Sequence, residues 1–354
     1  MKNNLSVLLV ILVLAVSPAV LAVSVGSGII PDIGTEDFVP RVWMCGERLV
    51  MDDATEPGRI SLDGKEMVER INNYAFEGEQ IQWNVLVMDK NGINKVEDVF
   101  ATVGSSQGVG NDIEVNCVED LTNTNIDSSC NARILEEKLK KFDSAIMRNY
   151  ICTLTVETPD SMQGEYWTTV EAVDLDGESS IMDENEYWFL NPEIALSIGG
   201  DLAFENVRPG TSSYSSTLLL GNDAEDGSGV MLDMFISGTD FYDSASSGAM
   251  CPTTNQLALE NFRYFATNGA YSSQNDTRSD AEGYVGIRYG VGFNDPIKFY
   301  NNNEVLQAQK QAPYYAANVL APGAEMALTF RLNLPEPCNG DFDTGAIYFW
   351  GEAI

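Results

Sequence analysis

The chain contains no histidine, and this absence removes much of the usual chemistry of enzymes. Ser-His-Asp and Cys-His catalytic systems need an imidazole base, and the common zinc and iron sites use imidazole ligands. The sequence also lacks the GxxxxGK[ST] phosphate-binding loop and the GxGxxG dinucleotide motif. We therefore expect a protein that is not an enzyme and has no cofactor, with calcium as the one candidate ion.

Basic residues are scarce. The chain has 20 lysines and arginines against 53 aspartates and glutamates, which gives a net charge of −33. Such a surface repels the phosphates of nucleic acids and of anionic lipids, so we expect no nucleic-acid partner. Hydrophobic residues make up 44% of the chain, which is too many for a disordered acidic polymer. The acidic residues are therefore expected to keep a folded protein soluble.

An export signal begins the sequence. Lys2 provides a positive charge, residues 5–16 form an apolar run, and small residues end the segment at Ala22, where we place the cleavage site. An uncleaved anchor is the alternative, because residues 5–22 approach the length that spans a bilayer. We expect residues 1–22 to be a signal peptide and the protein to be secreted or held at the cell surface. Membrane contact is expected only if this segment stays uncleaved.

The six cysteines indicate an oxidising compartment, because they form no CxxC motif and their number is even. They predict three disulfides. In the second half of the chain Cys251 and Cys338 are expected to pair, since no other cysteine follows Cys152.

Four cysteines remain in the first half, and they allow three connectivities. Our preference is for Cys117–Cys130, which closes a short loop, together with Cys45–Cys152. The other two connectivities stay open.

Short alternating or β-branched segments, separated by Gly, Asp, Asn and Pro turns, are typical of β-strands. Short helices are predicted at residues 65–72 and 132–142, and the second has apolar residues at helical spacing. So many short strands predict an all-β fold of two consecutive immunoglobulin-like β-sandwich domains. The predicted strands are 80–88, 96–103, 113–118, 150–157, 165–173, 186–190, 214–220, 230–236, 326–334 and 345–350.

Two changes in composition predict the domain boundaries. Residues 23–38 are Gly-rich and irregular, so they are predicted to form an extended N-terminal arm. The Asn191-Pro192 pair separates two groups of predicted strands. The predicted domains are therefore residues 39–193 and 194–354.

Several segments resemble known modules. The strand around Trp83 with the turn at residues 89–92, and the strand at Cys152 that leads to the turn at residues 174–177, resemble immunoglobulin-like modules of prokaryotic surface proteins. In the second half, two Pro-Gly pairs, at residues 209–210 and 322–323, each precede an alternating strand, which resembles sandwich modules of envelope proteins. Taken whole, the chain resembles secreted archaeal surface proteins built of two such modules. The resemblance implies a fold and supplies no activity.

Two kinds of site are predicted from carboxylates and amides. Asp174, Asp176 and Glu178 alternate around a glycine, and such oxygen ligands suit Ca²⁺. The alternative is a hairpin turn in which these residues supply turn geometry without a metal. Asn275 begins the sequon Asn-Asp-Thr, which predicts a glycosylated surface position.

Two adjacent aromatic pairs predict a binding surface. Neighbouring residues of a strand face opposite ways, so Tyr166-Trp167 and Tyr187-Trp188 are each expected to expose one ring. The alternative is that these rings belong to the core, as is common in β-sandwiches.

Two short strings match catalytic motifs, and neither is expected to be catalytic. Residues 104–108 match GxSxG, but the nucleophile elbow also needs a following helix and a histidine. Asp343-Thr344-Gly345 matches an aspartic-protease motif, which works as a pair of aspartates, and no second copy exists. Both are interpreted as turns.

Three functions remain. The first is a structural component of a surface layer or filament, which assembles through sheet edges, loops or the arm and has itself or other surface proteins as partners. The second is an adhesin or carbohydrate-binding module that uses exposed Tyr and Trp. The third is a hydrolase that uses two carboxylates.

Overall fold

The computed structural model describes residues 28–45, 49–51, 68–69, 72–108, 113–128, 130, 141–183, 186–290, 303–310 and 314–354. The chain divides into two units, Met1–Asp37 and Phe38–Ile354. Within the first unit, residues 28–37 have no regular secondary structure. The predicted signal peptide, residues 1–22, lies outside the described residues. None of the helices in the described ranges has the length and apolar character of a transmembrane segment.

The second unit is all-β, so the predicted fold class is confirmed. Eleven strands form its first half, which we define as β1 to β11. They are β1 Arg41–Met44, β2 Leu49–Met51, β3 Val68–Glu69, β4 Tyr74–Ala75, β5 Gln80–Met88, β6 Val96–Gly104, β7 Ile113–Asp120, β8 Met147–Thr155, β9 Gly164–Asp174, β10 Ser179–Ile181 and β11 Glu186–Leu190.

The second half consists of strands β12 to β22. They are β12 Leu196–Gly199, β13 Ser212–Asn222, β14 Leu232–Gly238, β15 Phe241–Tyr242, β16 Gln256–Leu257, β17 Phe262–Asn268, β18 Tyr271–Ser272, β19 Val285–Gly286, β20 Val319–Leu320, β21 Glu325–Asn333 and β22 Ile347–Ala353.

Helical structure is limited to single 3-10 turns among the elements with described bounds. These are Ile93–Lys95, Leu259–Asn261, Ser273–Asn275 and Ala316–Asn318. The helix predicted at residues 65–72 is wrong at Val68–Glu69, which pairs with β2 as a strand. The pairing with β2 satisfies the backbone of this segment and overrides its local helical preference. Most of the helix predicted at residues 132–142 lies outside the described residues.

The strands of the first half follow the order β3-β2-β5-β8-β7-β6-β9-β11-β4, with β1 on β5 and β10 on β9. Strand β7 joins the two layers of this sheet, because its first residues pair with β6 and its last residues pair with β8. A core fills the space between the layers. It includes Ile81, Trp83 and Val85 from one layer and Val170 and Ala172 from the other.

Strand β5 shows why this half has cores on two sides. Its odd-numbered residues from Ile81 to Val87 enter the core between the layers, while Leu86 and Met88 face the opposite side. There they form a smaller core with Trp43, and residues of segment 121–146 pack on it. A strand segment buried on both faces reads as a continuous apolar run, as residues 85–88 of β5 do.

The disulfides correct one prediction. In the first half Cys45 pairs with Cys130 and Cys117 pairs with Cys152, so both preferred pairings, Cys117–Cys130 and Cys45–Cys152, were wrong. The reason is register: antiparallel pairing of β7 with β8 places Cys117 directly opposite Cys152. The chain then leaves β7 and brings Cys130 into the small core beside Cys45.

The second half is a sandwich with its own core. One layer has the order β12-β13-β21-β17-β18 with β19 on β17, and the other is β20-β14-β22. Apolar side chains of β13, β14, β17 and β21 meet between them, including the fully buried Leu220, Met234 and Phe330. The structure joins Cys251 to Cys338, the two cysteines that were expected to pair.

The two halves are in contact, although no described strand of one pairs with a described strand of the other. Tyr74 and Phe189, neighbours on β4 and β11, belong to the apolar core of the second half. Asn72 also donates a hydrogen bond of 2.6 Å to the carbonyl of Gly229. The boundary predicted near residue 193 stays a prediction.

Candidate functional site

The predicted calcium residues form a tight turn at the end of β9. The Asp174 carboxylate is buried and accepts hydrogen bonds from the main-chain N–H groups of Asp176, at 2.9 Å, and Glu178, at 2.8 Å. The Asp176 carboxylate lies 3.5 Å from the ammonium group of Lys95. No group of three or more Cys, Asp or Glu residues in the described ranges is placed to hold a metal ion. The turn therefore accounts for Asp174, and the calcium prediction gains no support from the geometry.

The Asp-Thr-Gly string is fixed to β15 and to the loop that follows β15. The Asp343 carboxylate accepts hydrogen bonds from the main-chain N–H of Ser244, at 2.9 Å, and from its hydroxyl, at 2.7 Å, and these bonds lower the pKa of Asp343. Gly345 has a φ of 128°, and a Cβ there would lie 2.5 Å from the carbonyl oxygen of Asp240. The glycine is thus explained by turn geometry and close backbone approach.

The GxSxG string bends back over the sheet. Residues 105–108 follow the end of β6, and the N–H of Gly108 donates a hydrogen bond of 2.8 Å to the hydroxyl of Thr169. The next described residue is Ile113, which starts β7. A strand thus stands where a nucleophile elbow would require a helix in the described chain.

The adjacent aromatic pairs divide between core and surface. Trp188 is 1% exposed and packs in the core between the layers, so it cannot serve as a binding residue. Its neighbour on β11, Tyr187, is 41% exposed. On β9, Tyr166 packs against the core, and its hydroxyl donates to the carbonyl of Ser161 at 3.3 Å, while Trp167 is half-buried on the other face. The expectation of one exposed ring in each pair is met by Tyr187, and only partly by Trp167.

Trp167 and Tyr187 are direct cross-strand partners. The register of β9 with β11 places them opposite each other, and their ring centroids lie 5.5 Å apart with a tilt of 48°. The partner of Trp167 on its other side is Gly104, which brings no side chain next to the indole. We call Trp167 and Tyr187 the aromatic pair. It presents two adjoining rings on the outer face of the sheet.

Polar groups fix the backbone at the aromatic pair. The side-chain amide of Asn73 donates hydrogen bonds of 2.7 Å both to the carboxylate of Glu186 and to the carbonyl of Tyr187. The carbonyl oxygen of the same amide is buried and has no hydrogen-bond partner. Glu165, two residues before Trp167 on the same face of β9, is exposed. The surroundings of the aromatic pair are therefore acidic and rich in hydrogen-bonding groups.

A second exposed aromatic group lies on the second half. The guanidinium of Arg331 forms ion pairs with Asp280 and Glu282 and lies 4.5 Å from the ring centroid of Tyr284. Tyr214, 53% exposed, has its ring centroid 5.9 Å from that of Tyr284. Because two carboxylates already neutralise Arg331, this cluster offers a tyrosine ring but no free positive charge for an anion.

The predicted sequon lies on an exposed turn. Asn275 ends a 3-10 turn and is exposed, and Thr277 is exposed too. Asp276 between them is buried and pairs with Arg278 at 2.6 Å. Burial would raise the pKa of Asp276, but hydrogen bonds from Arg278 lower it overall. The turn thus holds the asparagine in solvent, and glycosylation stays a prediction.

Sequence reasoning missed two features of these sites. The partnership of Trp167 with Tyr187 depends on the β9–β11 register, which crosses a turn and a third strand. The residues of the buried Asp276–Arg278 pair stand only two positions apart in a polar turn, so their closeness is visible in the sequence but their burial is not. Nothing in the sequence distinguishes that pair from the many exposed charges of an acidic chain.

No protein-family model matches the chain. No curated protein sequence matches it either. Solved structures do match. One is the C-terminal domain of the antigen I/II polypeptide BspA of Streptococcus agalactiae, with 9% identity, 89% of this chain and 97% of that chain covered, and a TM-score of 0.28.

Two further matches come from related bacteria. The C-terminal domain of the antigen I/II-family protein AspA of Streptococcus pyogenes has 10% identity, covers 90% of this chain and 97% of that chain, and has a TM-score of 0.28. The sialic acid binding region of a Streptococcus sanguinis adhesin has 12% identity, coverage of 85% and 70%, and a TM-score of 0.20. Similarity at this level assigns none of their properties to this chain, and the resemblance to archaeal surface proteins stays a prediction.

Proposed function

We propose that this protein is an exported surface protein that binds carbohydrate through the aromatic pair, without catalysis. The observation that carries the proposal is the position of Trp167 and Tyr187: two adjoining rings, 5.5 Å apart, on the outer face of a sheet whose other tryptophans are buried, namely Trp43, Trp83 and Trp188. A core role explains the buried rings, whereas neither ring of the aromatic pair belongs to a hydrophobic core of the described residues.

Stacking chemistry supports a sugar as the ligand. The face of an aromatic ring carries partial negative charge, and the C–H groups on one side of a sugar ring carry partial positive charge, so the two attract. The edges of a sugar carry hydroxyl groups, which suit nearby hydrogen-bonding groups such as the Glu165 carboxylate. Two adjoining rings can accept one sugar ring or two consecutive ones.

Charge narrows the class of sugar. The whole chain has a net charge of −33, and exposed Glu165 lies on the same face as the aromatic pair. A sialylated or sulfated glycan would be repelled by this surface. The proposed ligand is therefore a neutral glycan.

Export is supported by independent features. The N-terminal sequence has the pattern of a signal peptide. All six cysteines form disulfides, which is consistent with an oxidising compartment outside the cytoplasm.

The test is a glycan array probed with the intact protein, followed by titration of the best neutral glycan. Replacing Tyr187→Ala or Trp167→Ala is expected to weaken binding roughly tenfold or more, because an aromatic contact contributes about 1.5 kcal/mol. Tyr242→Ala is the matched control, since Tyr242 is similarly exposed at 39% but lies in the second half. Circular dichroism checks that each variant folds.

Two results would contradict the proposal. One is an array on which the folded protein binds no neutral glycan. The other is equal binding by the Tyr187→Ala and Tyr242→Ala variants. Preferential binding of acidic glycans would refute the proposal that the ligand is neutral, but not the proposal that the aromatic pair binds it.

Self-association, the other interaction expected from the sequence, is supported by a different feature. Among the described strands, β22 is the last of its sheet and is paired on one side only.

A further inference from the structure

Strand β22 is paired on one side only. It follows β14 over its whole length, from Ile347 opposite Gly238 to Ala353 opposite Leu232. In the strand order β20-β14-β22 it is the last member, and no other described strand pairs with it. An unpaired strand edge presents a row of N–H and C=O groups to any extended chain that can reach it.

Two hydrogen bonds show which residues of β22 face outward. The N–H of Ile354 bonds to the carbonyl of Met231, at 3.1 Å, and the N–H of Thr239 bonds to the carbonyl of Ala346, at 3.0 Å. In an antiparallel ladder such positions alternate, so the even-numbered residues of β22 bond to β14. The odd-numbered residues therefore direct both N–H and C=O away from β14. They are Ile347, Phe349, Gly351 and Ala353.

No hydrogen bond within the described part of the chain engages these four outward backbones. The strand also lacks the features that usually protect an edge, since its sequence IYFWGEA has no proline, no lysine and a single charge, at Glu352. The neighbouring edge strand β12 has only four residues, and β22 has seven. In a chain with a net charge of −33, β22 is a long edge with little charge to repel a partner.

We propose that β22 pairs antiparallel with β22 of a second copy, about a two-fold axis at Trp350. In this register Phe349 lies opposite Gly351 of the second copy and Ile347 lies opposite Ala353. Each of these pairs exchanges both of its backbone hydrogen bonds, because all four residues have outward N–H and C=O groups. The two-fold axis makes the contact closed and self-complementary.

The side chains favour this occupant. The larger residues, Phe349 and Ile347, each face a small one, so the pairing does not crowd the apolar side of the sheet. Glu352 faces Tyr348 of the second copy, and the two Glu352 carboxylates stay apart. The exposed arm of residues 28–37 is a poorer strand for this edge, because Pro31 lacks an N–H and three acidic residues follow it.

Cysteine cross-linking tests the register. All native cysteines are in disulfides, so an added cysteine is the single free thiol. Trp350→Cys should form an intermolecular disulfide on mild oxidation, because residues at the two-fold axis form a non-hydrogen-bonded pair about 4.5 Å apart. Tyr348→Cys is the control: its two copies would lie roughly 13 Å apart, too far for a disulfide.

The mass of the protein in solution provides a second measurement that does not depend on Trp350. Light scattering of the full chain should show the dimer mass rising with concentration, and Ala353→Pro should shift the protein to monomer. This proline removes an outward N–H and leaves the bonds to β14 intact. Circular dichroism reports whether the variant remains folded.

Three results would overturn the proposal. They are a monomer at all concentrations, equal cross-linking at positions 348 and 350, and a dimer that persists in Ala353→Pro but is lost when residues 23–37 are deleted. The last result would assign the dimer contact to the arm and not to the edge of β22. The proposal does not depend on carbohydrate binding, since β22 and the aromatic pair lie on different halves.

Discussion

The two halves of the protein are β-sandwiches of similar size that are stabilised differently. The first half contains two disulfides, and its ion pairs, such as Arg148–Glu119 at 2.6 Å, lie at the surface. The second half contains one disulfide and a buried ion pair, Asp276–Arg278. A covalent bond resists changes of pH and salt, whereas a buried carboxylate depends on its partner and its charge. The halves should therefore fail under different conditions.

The largest expected effect comes from the disulfide of the small outer core. Replacing Cys45→Ala and Cys130→Ala together should lower the free energy of unfolding by roughly 4 kcal/mol, because the bond closes a loop with a sequence separation of 85. The loss should be local. Hydrogen exchange followed by mass spectrometry is expected to show deprotection of segment 121–128 and of β1, with the strands of the second half little changed.

The matched control is the double variant Cys251→Ala and Cys338→Ala, whose loop has a similar sequence separation of 87. It should deprotect the second half. If both variants lose protection over the whole chain, the halves unfold together and the comparison fails.

A smaller effect is expected from the buried ion pair. Arg278→Met leaves the Asp276 carboxylate buried without its partner, which should lower the free energy of unfolding by about 3 kcal/mol. Arg148→Met removes one partner of the exposed pair with Glu119 and should cost less than about 1 kcal/mol. Urea denaturation of both variants measures the difference.

Equal losses in the two arginine variants would show that burial does not distinguish the ion pairs. A loss in Arg278→Met that disappears in the double variant Asp276→Asn, Arg278→Met would identify the unpaired carboxylate as the cause.

The smallest effect concerns pH. In the unfolded chain an aspartate has a pKa of about 4. Hydrogen bonds from Arg278 hold the folded-state pKa of Asp276 below that value, against the effect of burial. Its contribution to stability is therefore complete above pH about 4 and is lost as the pH falls through the folded-state pKa. On acidification, the second half of the wild-type protein should lose hydrogen-exchange protection more steeply than the second half of the Asp276→Asn variant.

Glu304 acts in the opposite sense. Burial raises the pKa of Glu304 above its value in the unfolded chain. Its contribution to stability is therefore complete below the pKa of the unfolded chain and is lost as the pH rises through the folded-state pKa. The variant Glu304→Gln removes this second pH-dependent contribution, so the contribution of Asp276 can be measured by itself. If wild type and Asp276→Asn show the same pH dependence, the acid sensitivity has another source.

The sequence predicts the strands well where one face or both faces are buried. The predicted strand at residues 80–88 coincides with β5, and the strand predicted at residues 165–173 lies within β9. Alternation and apolar runs record burial directly, so local sequence is sufficient there. The exposure of Tyr187 could also be predicted, because it is next to Trp188 and neighbouring residues of a strand face opposite sides of the sheet.

Features that depend on register could not be predicted. The pairing of Cys117 with Cys152 and the contact of Trp167 with Tyr187 both require knowing which residue of a neighbouring strand stands opposite. Shifting a register by one residue moves every side chain to the other face of the sheet. Local patterns alone do not determine that offset for strands separated by long connections.

The disulfides also set how far the chain can be stretched. When tension is applied along the chain, the three disulfides together keep residues 46–116 and 252–337 from carrying load until those bonds break. Each loop withholds roughly 300 Å of extended chain, at about 3.5 Å per residue. A sandwich that opens under a pulling force would therefore lengthen by less than half of its contour. For the surface protein that we propose, this property would keep the tether short.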